Sequence, residues 1–485
     1  MSRRTFLGAA AVAPFLTPFQ NAPAPAGELT YLSLSAIAAG IRTKRFSSLE
    51  VVEAHLKRIV AVNPKLNALV TNAGDAAREE ARRADAEMAR GQRRGVLHGV
   101  PITIKDSFEV AGMRSTAGTP GWSSRVPAKD ATVVARLRAA GCIILGKSNT
   151  PEFTMSDETD NPIFGRTNNP YDLSRTPGGS SGGAVALVAA GCSPLDLGTD
   201  TGNSIRMPSH FCGVAGIKPT AGRVPRTGHA ISWAGHIESW TQVGPIARFV
   251  DDLILALPII SGPDNVDPHA VAATLGDPAK VMLRGLRVAF HVNNGLVTPT
   301  VETQRAVRAA SEALRARGAR VEEKIPAGLG DFADGWARVA FADGGAWYRR
   351  LLASAGTPLD ARNGWVTGMR ASSSSDMSLA IEQMDEWRSK MLGFFNDVDV
   401  ILCPVHPTPA VPHGGSSSAE FSRGDYYSSA FNVTGWPAAS VRAATSPEGL
   451  PIGVQVVGPP FREDTVLAVA KAIETDLGGW KKPAL

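Results

Sequence analysis

From Leu32 to Val70 the apolar positions recur at helical spacing, with Val51, Val52, Leu56, Ile59 and Val60 following Ser47 and Glu50. A serine and a glutamate three residues apart, just ahead of such a run, predict a capping box, and Asn63-Pro64 predicts the stop. A polar, alanine-rich stretch from Asp75 to Arg90 reads as a surface helix. The pattern then changes period. Val100 to Ile104 and Cys142 to Leu145 are short β-type runs, with a helical segment from Thr132 to Ala140 between them. Strand, helix, strand is the order of an α/β sheet.

Later runs at Leu286 to Phe290, Val398 to Leu402 and Pro451 to Val457 predict further strands, and amphipathic helices are expected at Pro299 to Arg317 and Leu379 to Asn396. The serine run Ser372 to Ser375 and the stretch His413 to Ser418 read as loops too short to separate domains. The expectation is therefore an α/β protein with one domain over residues 27–485.

The first 26 residues stand apart. Arg3-Arg4 precede Phe6-Leu7 and an apolar run to about Leu16, followed by Ala22-Pro23-Ala24-Pro25-Ala26. This predicts a twin-arginine export signal over residues 1–26 and a periplasmic or secreted product. The apolar run is about half of the ~20 residues that a bilayer-spanning helix needs, so no stable membrane insertion is expected after processing.

Composition narrows the classes further. The net charge of +5 comes from Lys and Arg interleaved with Asp and Glu, without a basic stripe carrying stacking aromatics, so nucleic-acid binding is not expected. The four cysteines (Cys142, Cys192, Cys212, Cys403) form no CxxC pair and have no histidine at ligand spacing. Neither a metal site nor a disulfide framework is expected, and no cofactor is called for.

Two glycine-bearing turns carry the chemistry. Thr176-Pro177-Gly178-Gly179-Ser180-Ser181-Gly182-Gly183 runs directly into the apolar segment Ala184 to Ala190, and lacks the lysine that a phosphate-binding loop requires after its last glycine. Asp200-Thr201-Gly202-Asn203-Ser204-Ile205-Arg206 is the second turn, and its geometry could aim backbone N–H groups at one point beside a serine. Asp200 and Arg206 are expected to brace this turn as an ion pair. Neither turn holds a histidine, so His98, His210 and His229 would be the ones to suspect in a Ser–His–Asp arrangement.

These segments, with residues 97–106, 145–153, 177–183, 198–219 and 450–461, closely resemble the amidase signature hydrolases over nearly the whole mature chain. The resemblance implies a large mixed, twisted β-sheet covered by helices on both faces. It also implies a relay in which Lys105 is the base, Ser180 the bridging serine after a cis peptide, and Ser204 the nucleophile. The N–H groups of Thr201, Gly202, Asn203 and Ser204 would form the oxyanion hole. Lys105 would then have to be neutral, which requires burial.

The chain departs from the family at Asn203, where a second glycine is usual, and at Ser209-His210. If position 203 needs a positive φ, asparagine tolerates it; His210 is expected to pack or cap. The implied activity is hydrolysis of a small-molecule amide, with a homodimer left open. Two alternatives stay beside it: the glutaminase subunit of a tRNA-dependent amidotransferase, and a binding protein that kept the fold without turnover. Aromatic residues in 153–164, 230–240 and 431–436 either wall a pocket for an apolar or aromatic group or belong to the core.

Overall fold

The computed structural model describes residues 29–231, 233, 235–360 and 362–485. The proposed export signal lies outside them. Eleven strands form two sheets among the described residues. The smaller has the order β1-β3-β2, with β1 (Leu69–Asn72) antiparallel to β3 (Ile143–Ser148), and β2 (Pro101–Lys105) parallel to it. The helix Thr132–Ala139 makes the crossover from β2 to β3.

The larger sheet comprises β4 (Leu195–Asp200), β5 (Ala215–Lys218), β6 (Gln242–Ala247), β7 (Arg287–Phe290), β8 (Arg320–Glu323), β9 (Val400–Pro404), β10 (Ala438–Thr445) and β11 (Pro451–Val457). Its order is β4-β6-β5-β10-β11-β9-β7-β8. Antiparallel pairing from β4 to β9 gives way to parallel pairing at β9, β7 and β8, so the sheet is mixed as expected.

Strand alternation divides the core. On β9, Val400 and Leu402 join one apolar cluster and Ile401 and Cys403 the other, because successive side chains point to opposite faces. The first cluster is closed by the helices Leu34–Arg42, Val250–Ile260, Val301–Ala316 and Glu463–Leu477. The second is closed by Phe332–Ala340, Ser374–Gly393 and Tyr426–Val433.

Between the two sheets lies the helix Gly182–Ala189, every residue of it buried. Ala186 and Leu187 pack toward Ile143 and Leu145 of β3, and Val185 and Val188 toward Ile246 of β6. The sheets are also tied by side chains: Thr103 Oγ1 on β2 donates to Asp196 Oδ2 on β4 at 2.6 Å. The expectation of a single sheet is thus refined to a large mixed sheet with a small one docked beside β4.

Two local expectations are corrected. The capping box at Ser47 and Glu50 is present, but its helix, Ser48–Leu66, continues through Pro64. In the last turn proline forfeits only one backbone bond, and Asn63 restores the exit: its Oδ1 accepts from Ala68 N and Leu69 N. The serine run 372–375 is not all loop. Ser373 Oγ accepts from Asp376 N and caps the helix Ser374–Gly393, which is what a serine ahead of a helix is suited to do.

Candidate active site

Lys105 ends β2, in register with Ser148 of β3, and is fully buried. Its Nζ reaches Ser180 Oγ at 2.7 Å, Ser181 Oγ at 3.0 Å and Thr199 Oγ1 at 3.0 Å. No carboxylate lies within ion-pair distance of it among the described residues. Burial pushes the ammonium well below the usual lysine range, against the weaker opposing pull of Asp196 and Asp200. The neighbouring Asp106 does not pair with it. Asp106 faces Lys147 at 3.5 Å and accepts from Thr116 N at 3.0 Å.

Ser180 is placed by the glycine run. The Gly179–Ser180 peptide is cis. A Cβ on Gly179 would lie 2.4 Å from Ser156 O, and one on Gly183 would lie 2.3 Å from Asn149 N. Both glycines therefore permit an approach to backbone that any side chain would block.

The second turn leaves β4 at Asp200. Although burial alone would raise the Asp200 carboxyl, the Arg206 guanidinium holds it down to about 2. The pair is bidentate, at 2.9 and 2.8 Å, and both residues are fully buried. Asp200 Oδ2 also accepts from Ile205 N at 3.1 Å, and Arg206 continues to Ser428 O and Gln455 Oε1. Asn432 donates to Asp200 O at 2.9 Å and Trp240 O at 3.0 Å. The expected brace is present, and it reaches strands and helices well beyond the turn.

Within this frame Ser204 is partly exposed. Among the described residues, the backbone N–H groups of Thr201, Gly202, Asn203 and Ser204 have no protein acceptor within hydrogen-bonding distance. Ser204 Oγ donates to Asn203 Oδ1 at 3.4 Å, and no hydrogen bond joins it to Ser180. Asn203 does not have a positive φ. Its side chain explains its presence instead: Nδ2 donates to Asp157 Oδ1 at 3.1 Å and Asp425 Oδ1 at 2.6 Å.

The suspected histidines serve structure. His98 bridges Arg94 N and Ala84 O. His210 accepts from Gly453 N at 2.7 Å and bonds Thr408 O, and burial lowers it to about 4. His229 bonds Ser107 Oγ at 3.1 Å. Phe153, Trp240, Phe431 and Trp436 are buried in apolar clusters, so the core reading holds for them, whereas Trp233 remains 51% exposed.

Sequence reasoning missed Thr199, Asp157, Asp425, Asn432 and Gln455. Thr199 and Gln455 lie inside the segments 198–219 and 450–461 that carry the resemblance, whereas Asp157, Asp425 and Asn432 come from segments without a catalytic pattern of their own. Among the described residues, no cluster of three or more His, Cys, Asp or Glu could hold a metal ion, and no helix is long and apolar enough to cross a membrane.

Comparison with known proteins places the chain in a family. The amidase family profile matches residues 50–467. Against the catalogued relatives, the chain is 38% identical to a component of the glutamyl-tRNA(Gln) amidotransferase of Anaeromyxobacter sp. (strain K), over 95% of this chain and 99% of that protein. It is equally 38% identical to the indoleacetamide hydrolase of Bradyrhizobium diazoefficiens, over 94% and 88%. The structure of a 6-aminohexanoate cyclic dimer hydrolase superposes with a TM-score of 0.84 at 28% identity, covering 94% of this chain and 99% of that one. The chain belongs to the amidase signature family, whose members hydrolyse amides.

Proposed function

We propose that the protein hydrolyses a small-molecule carboxylic amide through an acyl-enzyme, with Ser204 as nucleophile, Ser180 as proton carrier and Lys105 as base. The observation that carries this reading is a buried lysine with no carboxylate partner, 2.7 Å from a serine hydroxyl. Burial favours the neutral form of such a lysine, the form that accepts a proton. The acylation step then balances. Lys105 takes the Ser180 proton, Ser180 takes that of Ser204, and Ser204 Oγ bonds to the amide carbon. As the C–N bond breaks, Ser180 passes a proton to the leaving nitrogen and Lys105 restores it. Water repeats the sequence to release the carboxylate.

The relay closes when the Ser204 hydroxyl turns from Asn203 to Ser180. At 3.4 Å its present bond is weak, and catalytic hydrogen bonds commonly tighten only with substrate in place. The unused N–H groups of residues 201–204 supply the donors that an oxyanion needs. Trp233 sits on a segment tied to the site at both ends, by His229 to Ser107 and by Thr241 to Thr201 at 3.0 Å. That supports an apolar or aromatic group on the substrate, and Arg3-Arg4 support export through the twin-arginine route.

A second reading, the glutaminase component of an amidotransferase, is favoured by the 38% identity to such a protein over 95% of the chain. The test is a hydrolysis screen of the purified enzyme against aryl acylamides, aliphatic and aromatic primary amides, peptide amides and glutamine. Turnover of an aryl or aromatic amide without glutaminase activity is expected. Release of ammonia from glutamine alone would transfer the case to the second reading.

A further inference from the structure

Position 203 holds asparagine beside the nucleophile, and every polar atom of its side chain is engaged. The two Nδ2 hydrogens reach Asp157 on the loop after β3 and Asp425 at the start of the helix Tyr426–Val433. Oδ1 receives the Ser204 hydroxyl. Burial raises both carboxyls, and the two hydrogen-bond each other, which disfavours the anion of Asp425 and favours that of Asp157. The carboxamide is the neutral donor that both accept from.

The turn needs such a tie. Asp200 anchors its two ends through Ile205 N and the Arg206 guanidinium, but Thr201 to Ser204 have backbone N–H groups without acceptors among the described residues. A Cβ on Gly202 would touch only Ser429 Cβ, at 3.8 Å. Within the turn, Gly202 O accepts from Arg206 Nη2 at 3.2 Å and Asn203 O from Met207 N at 2.8 Å, so these carbonyls are held from the helix that follows. Among the described residues, the ties of residues 201–204 to other segments are the Asn203 side chain and the hydroxyl contact of Thr201 with Thr241.

We infer that the Asn203 side chain, clamped by the adjoining carboxyls of Asp157 and Asp425, is a positioning residue that fixes the oxyanion turn and, through the backbone, the nucleophile that follows it. The inference rests on Ser204 being the nucleophile. Asn203 and Asp425 then act as one unit, because the asparagine transmits to the turn a position that the carboxyl sets. Preorganised donors lose effect when they must be ordered during the reaction, so the loss falls on kcat rather than on KM.

The test uses the full-length enzyme and its Asn203→Gly, Asp425→Ala, Asp425→Asn and Asn203→Gly/Asp425→Ala variants. A fluorophosphonate probe reports the second-order rate of labelling at Ser204, an acetanilide reports kcat and KM, and thermal melting reports folding. Each of the first two variants should slow labelling and kcat by about tenfold with KM within about twofold, and the double variant should be no slower than the slower single one. Asp425→Asn, which keeps the shape and offers an acceptor oxygen, should stay within about threefold of the wild type.

Wild-type labelling in Asn203→Gly or in Asp425→Ala would overturn the inference. So would losses that multiply in the double variant, a loss confined to KM, or slowing that matches the unfolded fraction. A wild-type enzyme not labelled at Ser204 would instead remove the functional reading on which the inference stands.

Discussion

Lys147, and not Lys105, faces Asp106: its Nζ lies 3.5 Å from Asp106 Oδ1 and donates to Phe108 O at 2.6 Å. The two lysines lie on neighbouring strands and are equally buried, but among the described residues only Lys147 has a carboxylate at ion-pair distance. That division leaves Lys105 among hydroxyls, where losing its charge is favoured.

Lys105→Ala should therefore impair amide hydrolysis more than hydrolysis of an ester with the same acyl group. Both reactions need Ser204 deprotonated, but an amine leaves only if it is protonated, and each assisted proton transfer is worth roughly 10²–10⁴-fold. The amide carries that loss twice and the ester about once. In the wild type, kcat/KM should rise with pH through the lowered lysine value, on the acid side of 10.5, and reach its plateau there. Lys105→Arg, which cannot give up its proton, should show no such rise. Equal losses for amide and ester would restrict Lys105 to attack or to structure.

The Asp200–Arg206 pair makes a stability prediction. Breaking a buried pair leaves an uncompensated charge, so Arg206→Ala should cost about 3–5 kcal/mol at pH 7. The Asp200 carboxyl is lowered from 3.8 to about 2, so its contribution is complete above the unfolded value and is lost as pH falls through that interval. Urea midpoints for wild type and variant should differ most above about pH 5 and converge toward about pH 2. Equal midpoints at pH 7 would show the brace to be dispensable.

On the proposed export reading, replacing Arg3 and Arg4 together with lysine should hold the enzyme in the cytoplasm, because a twin-arginine address is read by its receptor through the arginine pair. Cell fractionation with an activity assay settles this. Unchanged appearance outside the cytoplasm would mean that another signal, or none, directs the chain.

How far the sequence reveals this arrangement depends on where each residue's partners lie. β11 is legible residue by residue, since Pro451–Val457 is nearly all apolar and buried on both faces. Lys105, Ser180 and Ser204 are marked by local patterns, a short β run and two glycine turns. The strands β4 and β6 are not, because they carry Asp196, Thr199, Asp200, Gly244 and Pro245. The polar ones among these are buried against tertiary partners, and a polar residue read locally suggests surface. Asp157 and Asp425 lie 46 and 222 residues from Asn203, so the clamp appears only once the chain has folded. Asn203 itself stands out in the sequence as an exception, but its pattern points to the backbone, whereas the reason for it is the side chain.

Covalent labelling of Ser204 tests the central claim most directly. The wild-type enzyme is treated with a fluorophosphonate probe, digested and read by peptide mass. One adduct is expected, on the peptide bearing Ser204, and Ser204→Ala should take up none while melting as the wild type does. An adduct on another residue, or labelling that persists in Ser204→Ala, would contradict the assignment of the nucleophile.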